Sequence, residues 1–436
     1  MELSITVMKA IASQLASIVG GDNPVWDWEN VAANQQQRIL AAIAPGRTPK
    51  CIVYPQTPEE LAAVISCCRS NKWRILPSGS GSKLYWGGLG SDVDVVVSTE
   101  RLQHLIDHAV GDLTVTVEAG MKFSDLQVVL AKSRQFLALD PTSPESATIG
   151  GIVATGDTGS LRQRYGSVRD QLLGISFVRS DGKIVKAGGR VVKNVAGYDL
   201  MKLLTGSYGT LGVFSQLTFR VYPLPDDSQT VVLTGAAEDI EKAANTLRSS
   251  ALTPTQADLL SAPLVSSLGL GKDWGLIARF QSISESVQEQ SNRLLEVGQK
   301  LGLIGTIYTG ADETNLWQTL REQMHYPAPE SVITCKIGVL PTAAVAALKQ
   351  ADMGWIHISS GLGVLRFNGD IDRVLNMRNY LAATGGFLSV LAAPMGVKPK
   401  IDVWGYGGNS LQMMRLIKQQ FDPEGIFISG RFVGGI

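Results

Sequence analysis

The stretch from Asp140 to Arg169, DPTSPESATIGGIVATGDTGSLRQRYGSVR, constrains this chain more than any other. It is long, rich in Gly, Ser and Thr, and lies between a helical pattern and a strand pair. Compact domains hold few irregular connections of that length unless these are functional or disordered. Ile149, Ile152, Val153, Leu161 and Tyr165 give it too much apolar surface for a free linker, and its glycines suit close approach of the backbone to a ligand. The stretch reads as a wall around a flat, polar-edged cofactor.

Chain length and composition set the frame. At 436 residues there is room for about two or three domains. Hydrophobic residues make up 44% and charged ones 18%, which describes a globular chain with a sizeable core. Lys+Arg and Asp+Glu both number 39, so no net field draws nucleic acid to the surface, and no nucleic-acid partner is expected. The uncharged run from Asn379 to Val397 is interrupted by Gly385, Gly386 and Pro394 and makes a poor membrane span. The N-terminus lacks a secretory pattern. The chain is expected to be cytoplasmic, with peripheral attachment to a membrane through partners left open. Cys51, Cys67, Cys68 and Cys335 form no CxxC pair, so no zinc site, iron–sulfur site or disulfide framework is expected. Cys67 and Cys68 read as small hydrophobes packed in a helix.

Residues 1–45 read as helical and mixed, with Trp26 and Trp28 as anchors. Thr57-Pro58-Glu59-Glu60 supplies an N-cap, a Pro at the first helical position and an acid three residues after the cap. Leu61, Val64, Ile65 and Cys68 continue at helical spacing. A short strand from Trp73 to Pro77 then runs into Ser78-Gly79-Ser80-Gly81-Ser82-Lys83, where two glycines flanked by hydroxyls form a nest of N–H donors suited to a pyrophosphate. A Rossmann fingerprint is absent because Leu84 occupies the third glycine position, and no Walker loop is present. Val93 to Val97 and Leu113 to Ala119 read as strands. Ser124 with Gln127 predicts a capping box opening a helix that runs to about Phe136. Beyond the long stretch, Gly174 to Arg179 and Lys183 to Lys186 flank the turn Ser180-Asp181-Gly182. A short helix ends at Leu204, a strand runs from Val213 to Tyr222, and Pro223-Leu224-Pro225 marks a domain boundary.

These motifs in this order carry a family resemblance: PSGSGS after a strand, DPTSPESATIGG, RYGSVRD, GRVVKNVAGYDL and GSYGTLGV. The set resembles the FAD domain of the vanillyl-alcohol-oxidase-like (PCMH-type) flavoproteins, and within them the FAD-binding E subunits of glycolate oxidase (glycolate dehydrogenase). The likeness covers about residues 50–225 and returns in the tail at Phe421 to Ile426 and Gly430 to Phe432. It implies an α+β fold with an FAD-binding domain at 50–225, an N-terminal helical segment at 1–49, an α/β cap at 226–400 and a tail at 401–436 that packs back on the FAD domain. In the cap, helices are expected at Ala236 to Ser249 and Ser284 to Leu301, and strands at Gly275 to Phe280 and Ile304 to Tyr308.

Carried over residue by residue, the resemblance places the FAD pyrophosphate on Pro77, Ser78, Gly79, Ser80, Gly81 and Ser82. It places the isoalloxazine and phosphates beside Pro141, Thr142, Thr148, Gly150, Gly151, Ala154, Thr155, Thr158, Gly159 and Arg162, with Gly212 and Val213 meeting the cofactor through main-chain atoms. Some relatives attach the flavin covalently through a His in the first loop. This loop has neither His nor Cys, so binding is expected to be noncovalent. The NPGR-like tail of relatives reads ISGR here, with Ser429 in the Pro position. Val at Gly150 or Gly151 is expected to remove FAD while leaving a folded chain, on the expectation that these glycines need space and positive φ.

Oxidising a 2-hydroxy acid needs a base for the hydroxyl proton, a cation for the carboxylate and a flavin to take the hydride. His357 and Arg366 are the weak catalytic candidates, read as lying on one strand with a bulge at Gly361 and Gly363 to bring them to one side. The expected activity is that of an FAD-dependent oxidoreductase. The chain would be one subunit of a multisubunit glycolate (2-hydroxy-acid) dehydrogenase, passing electrons from a catalytic FAD subunit and its own flavin towards an iron–sulfur subunit. The alternatives are a self-sufficient oxidase of another hydroxy acid or alcohol, and a noncatalytic scaffold.

Overall fold

The computed structural model describes residues 10–190, 197–325, 331–394 and 396–436. The VVKNVA part of one resemblance motif, residues 191–196, lies outside the described residues. The chain divides into two compact units, one of residues 1–158, 167–223 and 408–436, the other of residues 159–166 and 224–407.

The first unit contains two principal sheets. Val25–Asp27, Cys51–Val53, Val95–Ser98 and Ile75–Ser78 form a four-stranded sheet in that order, and its last three strands run parallel. A parallel pair needs a crossover. Between Cys51–Val53 and Ile75–Ser78 it is the helix Pro58–Ser70, whose Thr57 Oγ1 accepts the Glu60 N–H at 3.1 Å. Glu60 reaches back to the Gln56 N–H at 2.8 Å, so the cap closes one residue earlier than a simple box. Leu61, Val64, Ile65 and Cys68 bury on Cys51, Val53, Ile75, Val95 and Val97, which fixes helix to sheet. Trp28 packs on a core, whereas Trp26, opposite Ile52 in the strand register, is 40% exposed.

The second sheet of this unit is antiparallel, in the order Leu105–Ala109, Thr114–Glu118, Val213–Arg220, Leu172–Val178, Ile184–Gly188. The turn at Gly182, with φ +78°, closes the hairpin expected there. The capping box at Ser124 does not form. The helix runs Phe123–Ala131 with Lys122 at its cap, because the Gln127 side chain instead holds the Leu137 N–H and C=O, each at 2.9 Å. That exchange ends the helix early and leaves Gln135–Phe136 as a strand paired with Tyr222–Pro223. The tail returns to the first sheet: Ile75 donates to the Ile426 carbonyl at 2.8 Å, and Ile428 donates to the Ile75 carbonyl at 2.9 Å.

The second unit is built on an eight-stranded sheet, in the order Ile304–Thr309, Asp227–Gly235, Trp274–Ser282, Gln256–Leu260, Met353–His357, Leu362–Asn368, Val332–Gly338, Phe387–Ala392. Every neighbouring pair is antiparallel. Alternation along the strands sends Val231, Leu233, Leu276 and Ala278 to one core, with the helices Ala237–Ser249, Ser284–Lys300 and Ile371–Ala383. Val232, Ile277, Leu260 and Val364 go to the other, with Ala262–Ser267 and Gly310–His325.

The tail is fastened by a buried carboxylate. Asp422 accepts the N–H groups of Ile426 and Phe427, both at 2.9 Å, and pairs with Lys418, which also donates to the Thr210 and Phe427 carbonyls. Burial depresses the Lys418 ammonium, and Asp422 holds it charged. Asp422→Ala therefore leaves a buried cation without its partner. It is expected to lower unfolding free energy by about 3 kcal/mol, measured by chemical denaturation.

Candidate functional site

The parallel strand Ile75–Ser78 ends directly in Gly79-Ser80-Gly81-Ser82, at the carboxyl edge of its sheet, where open α/β sheets place ligands. The N–H groups of Ser80, Gly81 and Ser82 find no acceptor among the described residues. Gly81 holds φ +75°. Facing this turn is a helix that the sequence reading treated as irregular: Ile149–Thr155, capped by Thr148, whose Oγ1 accepts the Gly151 N–H at 3.2 Å. The two stretches touch. A Cβ on Gly79 would lie 2.2 Å from Thr148 Oγ1, so only glycine lets the turn and the helix cap approach this closely.

Together they line one cleft. Of the residues singled out in sequence, Pro77, Ser78, Gly79, Ser80, Gly81, Ser82, Thr148, Gly150, Gly151, Ala154, Thr155, Gly212 and Val213 line it. Pro141, Thr142, Thr158, Gly159 and Arg162 do not. Thr142 is buried and donates its N–H and hydroxyl to Asp157 at 2.9 and 2.8 Å. Thr158 Oγ1 accepts the Val168 N–H at 3.3 Å. Gly159 and Arg162 belong to the segment 159–166 that groups with the second unit.

Leu84, Thr99, Ala119, Tyr208 and Phe214 line the cleft without having been singled out in sequence, and Lys83, Gly209 and Arg431 line it from motifs noted there. Two are buried cations. Lys83 is 5% exposed and its Nζ lies 2.9 Å from Asp157 Oδ2, so one ion pair ties the end of the first turn to the end of the second stretch. Burial works against the Asp157 charge, but Lys83 and the Thr142 hydrogen bonds outweigh it and hold the carboxyl below its ordinary value. Arg431 is 3% exposed and donates from Nη1 to the Gly88 carbonyl at 2.7 Å. The signal for it was Gly87-Gly88: a Cβ on Gly88 would lie 2.0 Å from the Gly430 carbonyl, so this glycine pair is the seat of the tail.

Gly150 and Gly151 have helical, not positive, φ, which corrects one expectation. They also differ from each other. A Cβ on Gly150 would meet Ala119 at 2.9 Å, while one on Gly151 meets only Thr148 Oγ1 at 3.1 Å and otherwise opens into the cleft.

The catalytic candidates part company. His357 ends the strand Met353–His357 and Arg366 lies in the next strand, Leu362–Asn368, because Gly361, at φ +65°, closes a turn between them. Arg366 donates to the Gln323 carbonyl. His357 is buried and its Nδ1 pairs with Asp258, which also accepts the Ser160 hydroxyl at 2.9 Å. No group of His, Cys, Asp and Glu suited to a metal ion occurs among the described residues, and no described helix is long and apolar enough to cross a membrane. The four cysteines form no disulfide.

Residues 49–188 match the model of the FAD binding domain family. Two curated relatives illustrate the likeness. The Escherichia coli glycolate oxidase subunit GlcE is 36% identical over 157 residues, 36% of this chain and 44% of that protein. An Arabidopsis thaliana mitochondrial D-lactate dehydrogenase (cytochrome) is 28% identical over 346 residues, 75% of this chain and 60% of that protein. The chain thus spans about half the length of these relatives. The solved structure of p-cresol methylhydroxylase superposes with a TM-score of 0.75 at 15% identity, covering 97% of this chain and 96% of that one. The fold is the PCMH-type FAD-binding fold, α+β throughout.

The cleft yields two expected outcomes. Gly151→Val keeps the fold and empties the cleft of flavin, read as absorbance near the flavin bands per mole of purified protein, whereas Gly150→Val loses soluble protein. Asp157→Asn removes the partner of buried Lys83 and lowers stability by about 3 kcal/mol or more at neutral pH. The Asp157 carboxyl sits lower in the folded chain than in the unfolded one, so its contribution is complete above about pH 4 and fades as pH falls through the folded value. Thermal melts across that acid range fall off less steeply in Asp157→Asn than in the parent.

Proposed function

We propose that this chain binds FAD noncovalently in the cleft between Gly79–Ser82 and Thr148–Thr155, as one subunit of a multisubunit 2-hydroxy-acid dehydrogenase whose substrate is glycolate, with D-lactate accepted. The observation that carries the reading is the cleft itself. Unused N–H groups, hydroxyls and small residues face it, and a side chain at Gly79 would close it. Such a surface fits a pyrophosphate and a flat ring system better than a substrate that needs many fixed charges. None of the lining residues is His or Cys.

When bound, FAD supplies the two-electron acceptor for hydride leaving the carbinol carbon of a hydroxy acid. The chain's own residues hold and enclose it. Ser80, Gly81 and Ser82 present N–H donors, Gly151 leaves room beside the Thr148 cap, and the Lys83–Asp157 pair keeps the two walls at fixed spacing. Electrons leave for an iron–sulfur partner subunit. Oxidation of the hydroxy acid takes place with a catalytic FAD subunit of the same complex, and the assembly is cytoplasmic.

A second reading has a specific observation in its favour. The Asp258 carboxylate holds His357 Nδ1, an arrangement that fixes one tautomer and leaves Nε2 as the nitrogen able to take a proton. On this reading the chain oxidises a hydroxy acid by itself.

Purified protein separates the two. Acid precipitation is expected to release all flavin into the supernatant, and chromatography identifies it as FAD. Under anaerobic conditions glycolate bleaches the flavin of the isolated chain only after the partner subunits are added. Bleaching by glycolate or D-lactate alone, lost in His357→Asn, establishes the self-sufficient reading instead. A protein that stays colourless with added FAD defeats both.

A further inference from the structure

Arg431 is the feature of the cleft that its proposed use leaves unexplained. It is 3% exposed and lines the cleft, and no carboxylate among the described residues lies within ion-pair distance of it. Its one hydrogen-bond partner is the Gly88 carbonyl, and its Nε is buried with none. Lys83, the other buried cation of the cleft, has Asp157 at 2.9 Å, so the two positive charges are balanced differently. Burial lowers the Arg431 guanidinium to about 10, with the Tyr208 hydroxyl nearby working in the opposite direction, so it remains charged at neutral pH.

Placing a cation there requires construction. The Gly430-Arg431 backbone rests on Gly87 and Gly88, where added Cβ atoms would lie 2.7 and 2.0 Å from the Arg431 and Gly430 carbonyls. Tyr208, beside Phe432 with ring centroids 6.2 Å apart, holds φ +55°, a strained conformation for an aromatic residue. A buried charge without a counter-ion is strongly unfavourable, and a chain that keeps one at a ligand cleft has the counter-ion arrive with the ligand.

Resting on the FAD reading above, we propose that Arg431 is the cofactor's counter-ion, with its guanidinium reserved for anionic oxygen of the bound FAD. Two parts of FAD carry such oxygen: the pyrophosphate at all times, and the isoalloxazine once reduced. The same guanidinium chemistry serves either, by charge-assisted hydrogen bonds.

Arg431→Gln keeps an N–H donor for the Gly88 carbonyl and removes the charge, and Arg431→Lys keeps a charge. FAD, ADP and riboflavin affinities are measured by flavin fluorescence quenching and calorimetry, apoprotein melting by scanning calorimetry, and midpoint potential by dye equilibration. Arg431→Gln is expected to weaken FAD binding about tenfold or more, or to bind reduced relative to oxidised flavin about tenfold less tightly, which lowers the two-electron potential by ~30 mV. Its apoprotein melts no lower than the parent, since an unbalanced buried charge has been removed. Arg431→Lys recovers most of the loss.

A loss shared by FAD and ADP but not riboflavin assigns the charge to the pyrophosphate. A shifted potential with ADP binding intact assigns it to the reduced ring. Arg431→Gln that binds FAD within twofold of the parent at an unchanged potential overturns the proposal and leaves the main-chain cradle standing. So does a chain that folds only with Arg431 in place, which makes the residue a brace for Gly88. A parent protein that binds no FAD overturns the cradle and this proposal together.

Discussion

Everything at the cleft depends on the contact between Gly79 and Thr148. A turn leaving a parallel strand and a helix cap arriving from a distant part of the chain meet with no room for a methyl group, since a Cβ there would lie 2.2 Å from the Thr148 hydroxyl oxygen. Close approach alone gives no cohesion, because both partners are polar and small. Cohesion comes from Lys83 and Asp157, one residue beyond the first turn and just beyond the helix, whose buried pair is reinforced by Thr142. The pair is stable where it is because both carboxylate oxygens are bonded, Oδ2 to Lys83 and the Thr142 N–H, Oδ1 to the Thr142 hydroxyl. Remove one partner and the other is left buried and unbalanced. The cleft is therefore a gap whose width is set by an ion pair and whose smoothness is set by glycine.

Much of this was legible in the sequence, for physical reasons that differ between elements. The helix Pro58–Ser70 was readable because cap, Pro and apolar spacing agree, and the sheet-two hairpin because Asp181-Gly182 permits only a tight turn. Elements of the second unit matched closely where amphipathic periodicity was long, as in Ser284–Lys300. The helix Ile149–Thr155 was not readable. Two glycines in seven residues depress its intrinsic propensity, and it stands because Ile149, Ile152 and Val153 are buried against Phe123, Leu126 and Val117. Gln127 misled in the other direction, since a residue that suits a capping box also suits a bridge to the backbone of Leu137.

The site was half legible for a related reason. Small residues in a loop announce that something comes close, and thirteen of the eighteen cofactor positions named from sequence line the cleft. Lys83 announces nothing and Arg431 stands out only through its tail motif, because a lone cation in sequence is most often solvated and its burial is a property of the fold. Thr142 does not line the cleft, and its hydroxyl is donated to Asp157. His357 and Arg366 fall on successive strands because of a turn at Gly361. At φ +65° Gly361 turns the chain where a continuing strand was assumed, and the partner that matters to His357, Asp258, lies across the sheet at the register position opposite it.

The charge pattern of the first unit follows one rule. Where a buried charge holds protein to protein, its opposite is supplied within the chain, as Lys418 and Asp422 do for the tail and Lys83 and Asp157 do for the cleft walls. Arg431, which like Lys83 lines the cleft, breaks the rule. A surface rich in main-chain donors can bind a dinucleotide cofactor in either redox state, because dipoles respond weakly to a change of one charge. A fixed guanidinium does not respond weakly, and at short range in a poorly solvated cleft its preference for the more negative state exceeds that of any single N–H. Neutral donors give the cleft its shape selectivity, and one unbalanced cation gives it a preference among the charge states of what it holds.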